Sequence, residues 1–258
     1  MKQFLSLFFS IGIFFRRTYY GMTRDRIPAF STVKSLFFLK SGLEVGGPSG
    51  IFRDRGFIPI YHLLKGLDGC NFSNATIWEG SLEAGKWYHY YETKNNGLQY
   101  ILEASDLSPI ASSNYDFVIS SNCLEHLANP LKAVGEWIRV VKKDGLLLLV
   151  VPCQDFCFDH NRPVTSFSHL VSDFENGVQE DDLTHLKEIL ELHDLSMDKH
   201  AGSFEQFKDR SLRNFENRAL HQHVFDLSVL KEISNYFKLE VLLSHQGRDL
   251  ILIAKKTN

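Results

Sequence analysis

The sequence predicts an α/β fold built on a mostly parallel β-sheet, and three features of the chain support this. Between about residue 40 and residue 151, short apolar segments alternate with longer segments, which is the pattern of strands joined by crossover helices. Residues 145–151 form an unbroken apolar run, which is typical of a strand covered on both faces. After a region without strong strand patterns, the alternation returns near residue 228 and continues to residue 254.

The predicted strands are short, and the helix between the last two of the first group is well marked. Five strands are expected in the first part of the chain: residues 42–45, 67–70, 99–102, 115–120 and 145–151. A helix is expected over residues 130–141, because apolar side chains recur there at helical spacing and Asn129-Pro130 is a favourable start. A helix over 228–236 and strands over 239–243 and 249–254 follow. A tight turn at Gln246-Gly247 makes the last strand antiparallel to its neighbour.

Residues 153–222 differ from the rest of the chain, because they are rich in His, Asp, Glu, Phe and Asn and contain no strong strand pattern. Two helices are expected there, near residues 181–193 and 204–219. We therefore predict an apolar and basic N-terminal segment over residues 1–38 and an α/β domain over residues 39–258. In that domain, residues 153–222 form a helical insertion after the fifth strand.

Composition and charge narrow the classes of partner. The 258-residue chain has a formal net charge of -3, so it lacks the excess of positive charge that is typical of proteins that bind nucleic acid. A small or neutral substrate is expected instead. The four cysteines are too few for a disulfide scaffold and are expected to be reduced thiols, which favours a cytoplasmic protein. Cys153 and Cys157 match no common zinc-binding spacing, so we expect no metal there.

The N-terminus carries an apolar run over residues 4–15, closed by Arg16 and Arg17. This run is too short to span a membrane, and no small-x-small cleavage site marks it as a signal peptide. Two interpretations are equally favoured, and a signal peptide is the third. The segment is either a helix packed on the body of the protein or an interfacial helix whose residues 4–17 contact a membrane. In the second case the arginines near anionic headgroups would be Arg16, Arg17, Arg24 and Arg26.

A glycine-rich turn follows the first predicted strand, in the segment Leu-Glu-Val-Gly-Gly-Pro-Ser-Gly over residues 43–50. Glycines let a backbone approach a ligand, and a strand-to-helix turn is where open α/β sheets bind their ligands. Glu44 at the end of the strand can organise a cationic amino group or a bound water beside the turn. A glycine turn alone is also compatible with a plain turn.

This segment resembles the E-x-G-x-G-x-G signature of class I S-adenosylmethionine-dependent methyltransferases. Glu44, Gly46 and Gly50 match the signature, Gly47 lies within it, and Pro48 stands in place of the middle glycine. The resemblance implies a Rossmann-like class I methyltransferase fold with a seven-stranded sheet. It also implies S-adenosylmethionine as the cofactor, with the glycine turn against its methionine part.

Two further segments extend the resemblance. Asp68, about twenty residues beyond the turn and at the expected end of the second strand, is expected to accept both ribose hydroxyl hydrogens; a plain turn aspartate is the alternative. Glu103-Ala104-Ser105-Asp106-Leu107 resembles the D-A-x-D-L-P run of the same superfamily. That similarity implies that Glu103 and Ala104 hold the adenine.

The most specific segment is residues 115–130, where a strand leads into Ser-x-x-x-Leu-Glu-His. It resembles the methyltransferase type 11 group, and the similarity covers roughly residues 40–152 and, more loosely, the last two strands. In that arrangement Ser121 and Asn122 lie beside the sulfonium. His126 is the candidate general base, because its ordinary pKa near 6.5 suits proton removal at neutral pH. Glu125 and His126 simply pairing with backbone groups is the alternative.

The insertion is the expected acceptor site, because loops at the carboxyl edge of such a sheet carry specificity. Its candidate acceptor-binding residues are His160, Arg162, His221 and His223. Structural hydrogen bonding is equally compatible with the histidines. A group of acids and histidines around residues 180–194, which includes His185, could gather on one side of a helix. A solvated helix face is the preferred interpretation, so no metal site is assigned and the question of a metal in the insertion stays open.

Together these elements predict an S-adenosylmethionine-dependent methyltransferase that acts on a hydroxyl or amine of a small molecule or glycan intermediate. The expectation of a glycan acceptor rests on a faint similarity of the whole chain to methyltransferases of bacterial surface-polysaccharide pathways. A catalytically inactive, methyltransferase-like binding module is the alternative, since Pro48 and Glu103 depart from the family pattern. A nicotinamide-dependent enzyme is disfavoured, because the turn is not G-x-G-x-x-G and Leu124-Glu125-His126 has no place in that pattern.

Overall fold

The computed structural model describes residues 25–76, 80–91 and 97–257 of the chain. Seven strands form one sheet, and two very short strands form a separate ribbon. The strands are β1 (Ser41–Val45), β2 (Gly66–Asn71), β3 (Ala75–Thr76), β4 (Gly80–Ser81), β5 (Gln99–Ile101), β6 (Tyr115–Ser121), β7 (Val141–Pro152), β8 (Leu239–Gln246) and β9 (Asp249–Lys256). The predicted seven-stranded, mostly parallel sheet is confirmed.

The strand order in the main sheet is β5-β2-β1-β6-β7-β9-β8. Strands β5, β2, β1, β6 and β7 pair in parallel, whereas β9 is antiparallel to both of its neighbours, β7 and β8. The chain lays its first three parallel strands outward from β1 in one direction and then returns to add β6 on the other side. Ligands of open α/β sheets bind at such a reversal, beyond the carboxyl ends of the strands. We therefore expect a ligand site at the edge between β1 and β6.

Helices cover both faces of the sheet. They are α1 (Phe30–Phe37), α2 (Pro130–Val140), α3 (Phe167–Glu175), α4 (Leu186–Leu192), α5 (Phe204–Leu212), α6 (Asn214–Asn217) and α7 (Leu227–Tyr236). One apolar cluster joins one face of the sheet to α2 and α7 and includes Trp137 and Leu230, and a second covers the opposite face and includes Phe37 and Phe117. Burial of apolar area on both faces explains why β7 reads as an unbroken apolar run.

Helix α2 begins where its capping residues predict. The Asn129 side chain accepts a hydrogen bond from the backbone N–H of Lys132, and Pro130 occupies the first helical turn. The helix ends at Val140, and β7 starts directly at Val141. The predicted helix at 130–141 and the predicted last antiparallel strand are both confirmed.

The insertion departs from the prediction in three elements. Helix α3 was not predicted, because its nine residues mix four apolar side chains with Ser, His and Asp and so give only a weak helical pattern. Its N-terminus is nevertheless marked, since the Ser166 side chain accepts a hydrogen bond from the backbone N–H of His169. The first expected insertion helix begins only at Leu186 in the structure, and the second is divided into α5 and α6.

The predicted interfacial segment, residues 4–17, lies outside the described residues. Of the arginines assigned to it, Arg26 is described, and its guanidinium donates to the carbonyl oxygens of Asp54 and Gly56. Arg26 therefore packs on the body of the protein. No helix in the described part of the chain combines the length and the apolar character needed to cross a membrane.

Candidate functional site

A cavity opens at the carboxyl edge of the sheet, at the reversal between β1 and β6. Four strands contribute the residues at or just after their ends, and the insertion contributes one residue from above. Its lining includes Val45 and Gly46 after β1, Asn71 and Phe72 after β2, Glu103 and Ala104 after β5, Asn122 and Cys123 after β6, and His126, Leu127 and Arg218. The walls are mainly apolar with a few polar groups, which is the usual makeup of a small-molecule site.

The glycine turn forms one end of this cavity. Gly46 has a φ of 83°, in the left-handed region that favours glycine, and a Cβ there would lie 2.8 Å from the Cβ of Cys123. Gly46 is therefore required both by its backbone conformation and by the close approach of β1 to the segment after β6. Gly47 and Gly50 do not line the cavity as the described residues define it.

Glu44 is completely buried behind the turn and holds it in place. Its carboxylate accepts hydrogen bonds from the hydroxyls of Tyr61 (2.7 Å) and Tyr88 (2.8 Å) and from the backbone N–H of Ser49 (3.0 Å). Burial raises the pKa of Glu44, and these hydrogen bonds oppose that rise. The two tyrosines and the turn backbone thus contact the carboxylate, and the contribution of Glu44 to the cavity is to shape the turn.

The second strand ends later than predicted, and this changes which residue meets the cavity. Strand β2 continues to Asn71, so the expectation that Asp68 ends the strand is wrong. The Asp68 carboxylate accepts instead from the backbone N–H of Leu98 (2.8 Å) and from the hydroxyl of Tyr115 (2.6 Å), and it does not line the cavity. Asp68 pairs in register with Leu43, in the middle of β1. It is therefore below the edge where a ligand would lie.

Asn71 is the polar residue that stands at the end of β2. Its Nδ2 donates to the carbonyl oxygen of Gly47 (2.9 Å), which ties β2 to the glycine turn. Its Oδ1 is buried and has no hydrogen-bond partner among the described residues. An acceptor without a partner at the edge of a cavity indicates a place for a ligand donor. The sequence contained a signal for it, since Asn71 ends a run of small and apolar residues before Phe72-Ser73-Asn74.

The predicted adenine residues, Glu103 and Ala104, do line the cavity. The carbonyl oxygen of Ala104 accepts from the indole N–H of Trp137 (2.9 Å), which fixes the loop after β5 on helix α2. The Glu103 carboxylate accepts from the Arg218 guanidinium at 2.7 Å. Sequence reasoning missed Arg218, because it lies in the insertion, 115 residues from Glu103.

Arg218 connects the insertion to the cavity. Its guanidinium also lies 2.6 Å from a carboxylate oxygen of Glu180 and 5.2 Å from the ring centroid of Phe72. One cation therefore joins the loop after β5, the segment after β2 and the insertion. This arrangement makes the insertion the roof of the cavity.

On the opposite wall, Asn122 adopts a φ of 50°, and its backbone N–H donates to the carbonyl oxygen of Val150. Asn122 lines the cavity as predicted for a site residue, whereas Ser121 is buried as the last residue of β6 and does not. Cys123, which sequence reasoning did not single out, lines the cavity as well. Burial raises the pKa of the Cys123 thiol, so it is a neutral, apolar wall group.

His126 lines the cavity in a defined tautomer. Its Nδ1 donates to the carbonyl oxygen of Leu220 at 2.9 Å, and since a carbonyl can only accept, Nε2 is the unprotonated nitrogen. Nε2 lies 3.9 Å from a carboxylate oxygen of Glu125. Burial and the neighbouring His221 lower the pKa of His126 to about 3, and burial raises the pKa of Glu125 to about 7. His126 is therefore neutral at physiological pH.

Behind His126 lies a buried network that holds the insertion to the sheet. The Nδ1 atom of His221 is hydrogen-bonded to the carboxylate of Asp159, which also accepts from Arg162 at 2.8 Å. Burial alone would raise the pKa of Asp159, but the hydrogen bonds and charges of His221 and Arg162 lower it to about 2. The ring of His221 meets the edge of His126, with the two centroids 4.7 Å apart. This contact orients His126.

The four predicted acceptor-binding residues are arranged differently from the expectation. Arg162 is 1 % exposed, and its guanidinium is fully engaged by Asp159, Glu188 and the carbonyl oxygens of His221 and Gln222, so it holds the insertion together. His160 is at the surface and pairs with Asp194 at 2.9 Å. His221 and His223 are buried. None of the four lines the cavity as the described residues define it.

Comparisons with known proteins bear on this site. Residues 15–200, well over half of the chain, match a family model described as a methyltransferase domain. The search of curated proteins gives no match.

Solved structures share the fold at low sequence identity. A Listeria monocytogenes protein assigned as an S-adenosylmethionine dependent methyltransferase is 13% identical, covers 89% of this chain and 95% of its own, and has a TM-score of 0.50. The 1,6-didemethyltoxoflavin-N1-methyltransferase of Burkholderia thailandensis, bound to 1,6-didemethyltoxoflavin and S-adenosylhomocysteine, is 12% identical over 89% of this chain and 79% of that one, with a TM-score of 0.47. A methyltransferase of Aquifex aeolicus is 13% identical over 88% of this chain and 89% of that one, also at 0.47. The first likeness shows the same fold.

Proposed function

Because this chain belongs to the methyltransferase-domain family, we propose that it is an enzyme that transfers a methyl group from S-adenosylmethionine to a hydroxyl or amine of a small molecule or glycan intermediate. The observation that carries the proposal is the cavity at the reversal of the sheet. It brings the Gly46 turn, the end of β2, the Glu103-Ala104 loop and Asn122 together around one space.

The residues around the cavity fit the chemical parts of this cofactor. The Gly46 backbone and Asn122 would hold the methionine end, and Ala104 with the Glu103 carboxylate would hold the adenine. The buried Oδ1 of Asn71, which lacks a hydrogen-bond partner among the described residues, would accept a hydrogen from a ribose hydroxyl. Glu44 supports the turn through Tyr61 and Tyr88. In this proposal Asn71, and not Asp68, contacts the ribose.

The cofactor, when bound, supplies a methyl group that is already activated by a positive sulfur. The protein therefore has mainly to align the acceptor, which lowers the barrier by up to roughly 7–11 kcal/mol in well-oriented reactions. For a hydroxyl acceptor, Nε2 of His126 would take the proton, because the hydrogen bond to Leu220 keeps that nitrogen unprotonated. Glu125 would stabilise the imidazolium that forms, since its carboxylate lies 3.9 Å away. An amine acceptor in its neutral form needs no such base.

The acceptor would enter beside the insertion, residues 153–222, which forms the roof through Arg218. His160 and His221 stay candidates for contact with the acceptor, His160 because it is near the surface and His221 because it touches His126. Peripheral membrane contact through residues 4–17 stays a prediction. Liposome sedimentation of the full chain against a chain starting at residue 25 tests it, and equal sedimentation of the two would contradict it.

Calorimetric titration of S-adenosylmethionine and S-adenosylhomocysteine tests the cofactor. Low-micromolar binding is expected, which corresponds to about 8 kcal/mol. A nicotinamide dinucleotide serves as the control and should give no heat. No binding of either S-adenosyl compound would refute the proposal. The acceptor class is then screened with labelled cofactor against sugars, nucleotide sugars, phenols and amines.

An inactive, cofactor-binding protein is the second candidate, and the burial of His126 favours it. A pKa of about 3 makes His126 a weak base in the free protein, because general bases work best with a pKa near the operating pH. Retained cofactor binding without methylated product across the whole acceptor panel would select this second candidate.

A further inference from the structure

Three histidines and one aspartate of the insertion and its return segment converge at a point outside the cavity. His169 and Asp173 are four residues apart on α3, so both side chains lie on one face of that helix. His185 lies immediately before α4, and His223 lies in the segment that returns from α6 to α7. All four donor atoms lie within 4.8 Å of one another.

The distances within this cluster match the edges of a metal coordination tetrahedron. Nε2 of His169 lies 3.1 Å from Nε2 of His185 and 3.3 Å from Oδ2 of Asp173, and Nε2 of His223 lies 3.7 Å from the same oxygen. Zn²⁺ binds imidazole nitrogen and carboxylate oxygen at about 2.0–2.2 Å, so neighbouring ligand atoms of a tetrahedral site lie about 3.3–3.5 Å apart. The three measured distances bracket this value.

Two polar atoms of the cluster lack hydrogen-bond partners among the described residues, whereas Nε2 of His223 lies 3.4 Å from the carbonyl oxygen of Ala128. Oδ2 of Asp173 is buried and has no hydrogen-bond partner among the described residues, although three imidazole rings surround it. Nδ1 of the buried His223 is likewise without a hydrogen-bond partner in the described part of the chain. Buried polar atoms are normally satisfied, and a cation bound to Nε2 of His169 and of His223 would satisfy Oδ2 of Asp173.

We propose that His169, Asp173, His185 and His223 bind one Zn²⁺ ion. Three imidazoles and one carboxylate suit zinc, and four protein ligands leave no open coordination position, which is the mark of a structural site. The ion would join α3 to the start of α4 and to the return segment. It would thereby hold the insertion in its place over the cavity, whatever the acceptor is.

A second cluster needs to be distinguished from this one. Glu125, His126 and His221 also present three donor atoms within 4.8 Å of one another, beside the cavity. That cluster has only three protein ligands, and both of its histidines already use Nδ1, with Leu220 and Asp159 as partners. A metal bound there would depend on His126 and not on His185, so single substitutions separate the two locations.

The test is the metal content of the full-length protein, purified without a histidine tag and measured by plasma mass spectrometry. We expect about one zinc per chain in the native protein and less than about a tenth of that in His185→Ala and in the conservative Asp173→Asn. The matched controls are His200→Ala, an exposed histidine of the insertion, and His126→Ala, and both should keep the zinc. Circular dichroism shows whether each variant is folded, and Asp173→Asn replaces His185→Ala if the latter is not.

Cobalt supplies a second readout. Co²⁺ added to the chelator-treated protein should give the visible absorption of a tetrahedral nitrogen and oxygen site, and Asp173→Asn should remove it. Chelation should lower the Tm of the native protein by at least about 5 °C and leave that of Asp173→Asn unchanged. Native protein with neither zinc nor a cobalt spectrum would overturn the proposal. Metal lost in His126→Ala and kept in His185→Ala would also overturn it.

Discussion

Nδ1 of His126 lies 2.9 Å from the carbonyl oxygen of Leu220, although 94 residues separate them. The contact joins the segment after β6 to the end of the insertion, so the insertion decides which nitrogen of His126 carries the hydrogen. A backbone carbonyl can only accept, so Nδ1 carries the hydrogen and Nε2 is the unprotonated nitrogen of the neutral ring. Four predictions follow from this and from the other contacts of the site.

The first concerns His126 itself. If Nε2 accepts the acceptor's proton, His126→Ala should lower turnover with a hydroxyl acceptor by about 100-fold or more and leave cofactor affinity unchanged. Initial rates and calorimetry measure the two quantities, with His200→Ala as the control histidine. Turnover near the native value would exclude His126 from the chemistry.

The second concerns Gly46. In Gly46→Ala the new Cβ would meet Cys123 at 2.8 Å in a backbone conformation with a φ of 83°, so the turn must shift. We expect cofactor affinity to fall by at least about tenfold, with a loss of stability of about 1–3 kcal/mol. Gly85→Ala is the matched control, because Gly85 has a φ of 74° and nothing lies within 4 Å of its added Cβ. Equal effects of the two substitutions on affinity would show that the turn does not contact the cofactor.

The third compares Asn71 with Asp68. Asn71→Ala removes the polar group at the end of β2 and should weaken cofactor binding by about tenfold, or about 1.4 kcal/mol, the value of one hydrogen bond. Asp68→Asn should leave the affinity within about twofold, since the Asp68 carboxylate is hydrogen-bonded to Leu98 and Tyr115 and does not line the cavity. Calorimetry of both variants decides between them. The reverse order of effects would restore Asp68 as the ribose residue.

The fourth concerns the pH dependence of stability. Burial raises the pKa of Glu125 from 4.5 to about 7, so the folded state keeps this carboxyl protonated at pH values where the unfolded state ionises it. Below pH 4.5 the Glu125 carboxyl is protonated in both states and does not change the free energy of unfolding. As the pH rises from 4.5 to 7, the unfolded state ionises first, and the free energy of unfolding falls by up to roughly 3 kcal/mol. Above pH 7 this loss in the free energy of unfolding is constant.

Glu125→Gln removes this pH-dependent loss. The free energy of unfolding of the variant, relative to that of the native protein, should therefore rise from pH 4.5 to 7. Denaturant unfolding at pH 4.5, 6 and 7.5 measures the difference. The exposed Glu232→Gln, measured at the same pH values, is the control for replacing a glutamate at the surface. If the difference in the free energy of unfolding between Glu125→Gln and the native protein does not change with pH, the pKa of Glu125 is ordinary in the folded protein.

Local patterns in the sequence were sufficient for the elements with strong signals. Helix α2 was predicted because Asn129, Pro130 and five apolar side chains at helical spacing agree with one another. Helix α3 was missed because it is short and polar, and its position depends on packing of the insertion rather than on its own propensity. Of the residues that line the cavity, Gly46 after β1, Glu103 and Ala104 after β5, and Asn122 after β6 were predicted, since those strands carry recognisable motifs.

The sequence by itself determined the α/β class, the glycine turn at Gly46 and the segment around His126, because these depend on short-range periodicity and on residues close in the chain. Only the tertiary structure decided that Asn71 rather than Asp68 meets the cavity, since the end of a strand is set by its pairing with neighbours. It also decided that Arg218 closes on Glu103 and that His169, Asp173, His185 and His223 converge. Such contacts join residues far apart in the chain, and no local pattern encodes which of eleven histidines will be neighbours.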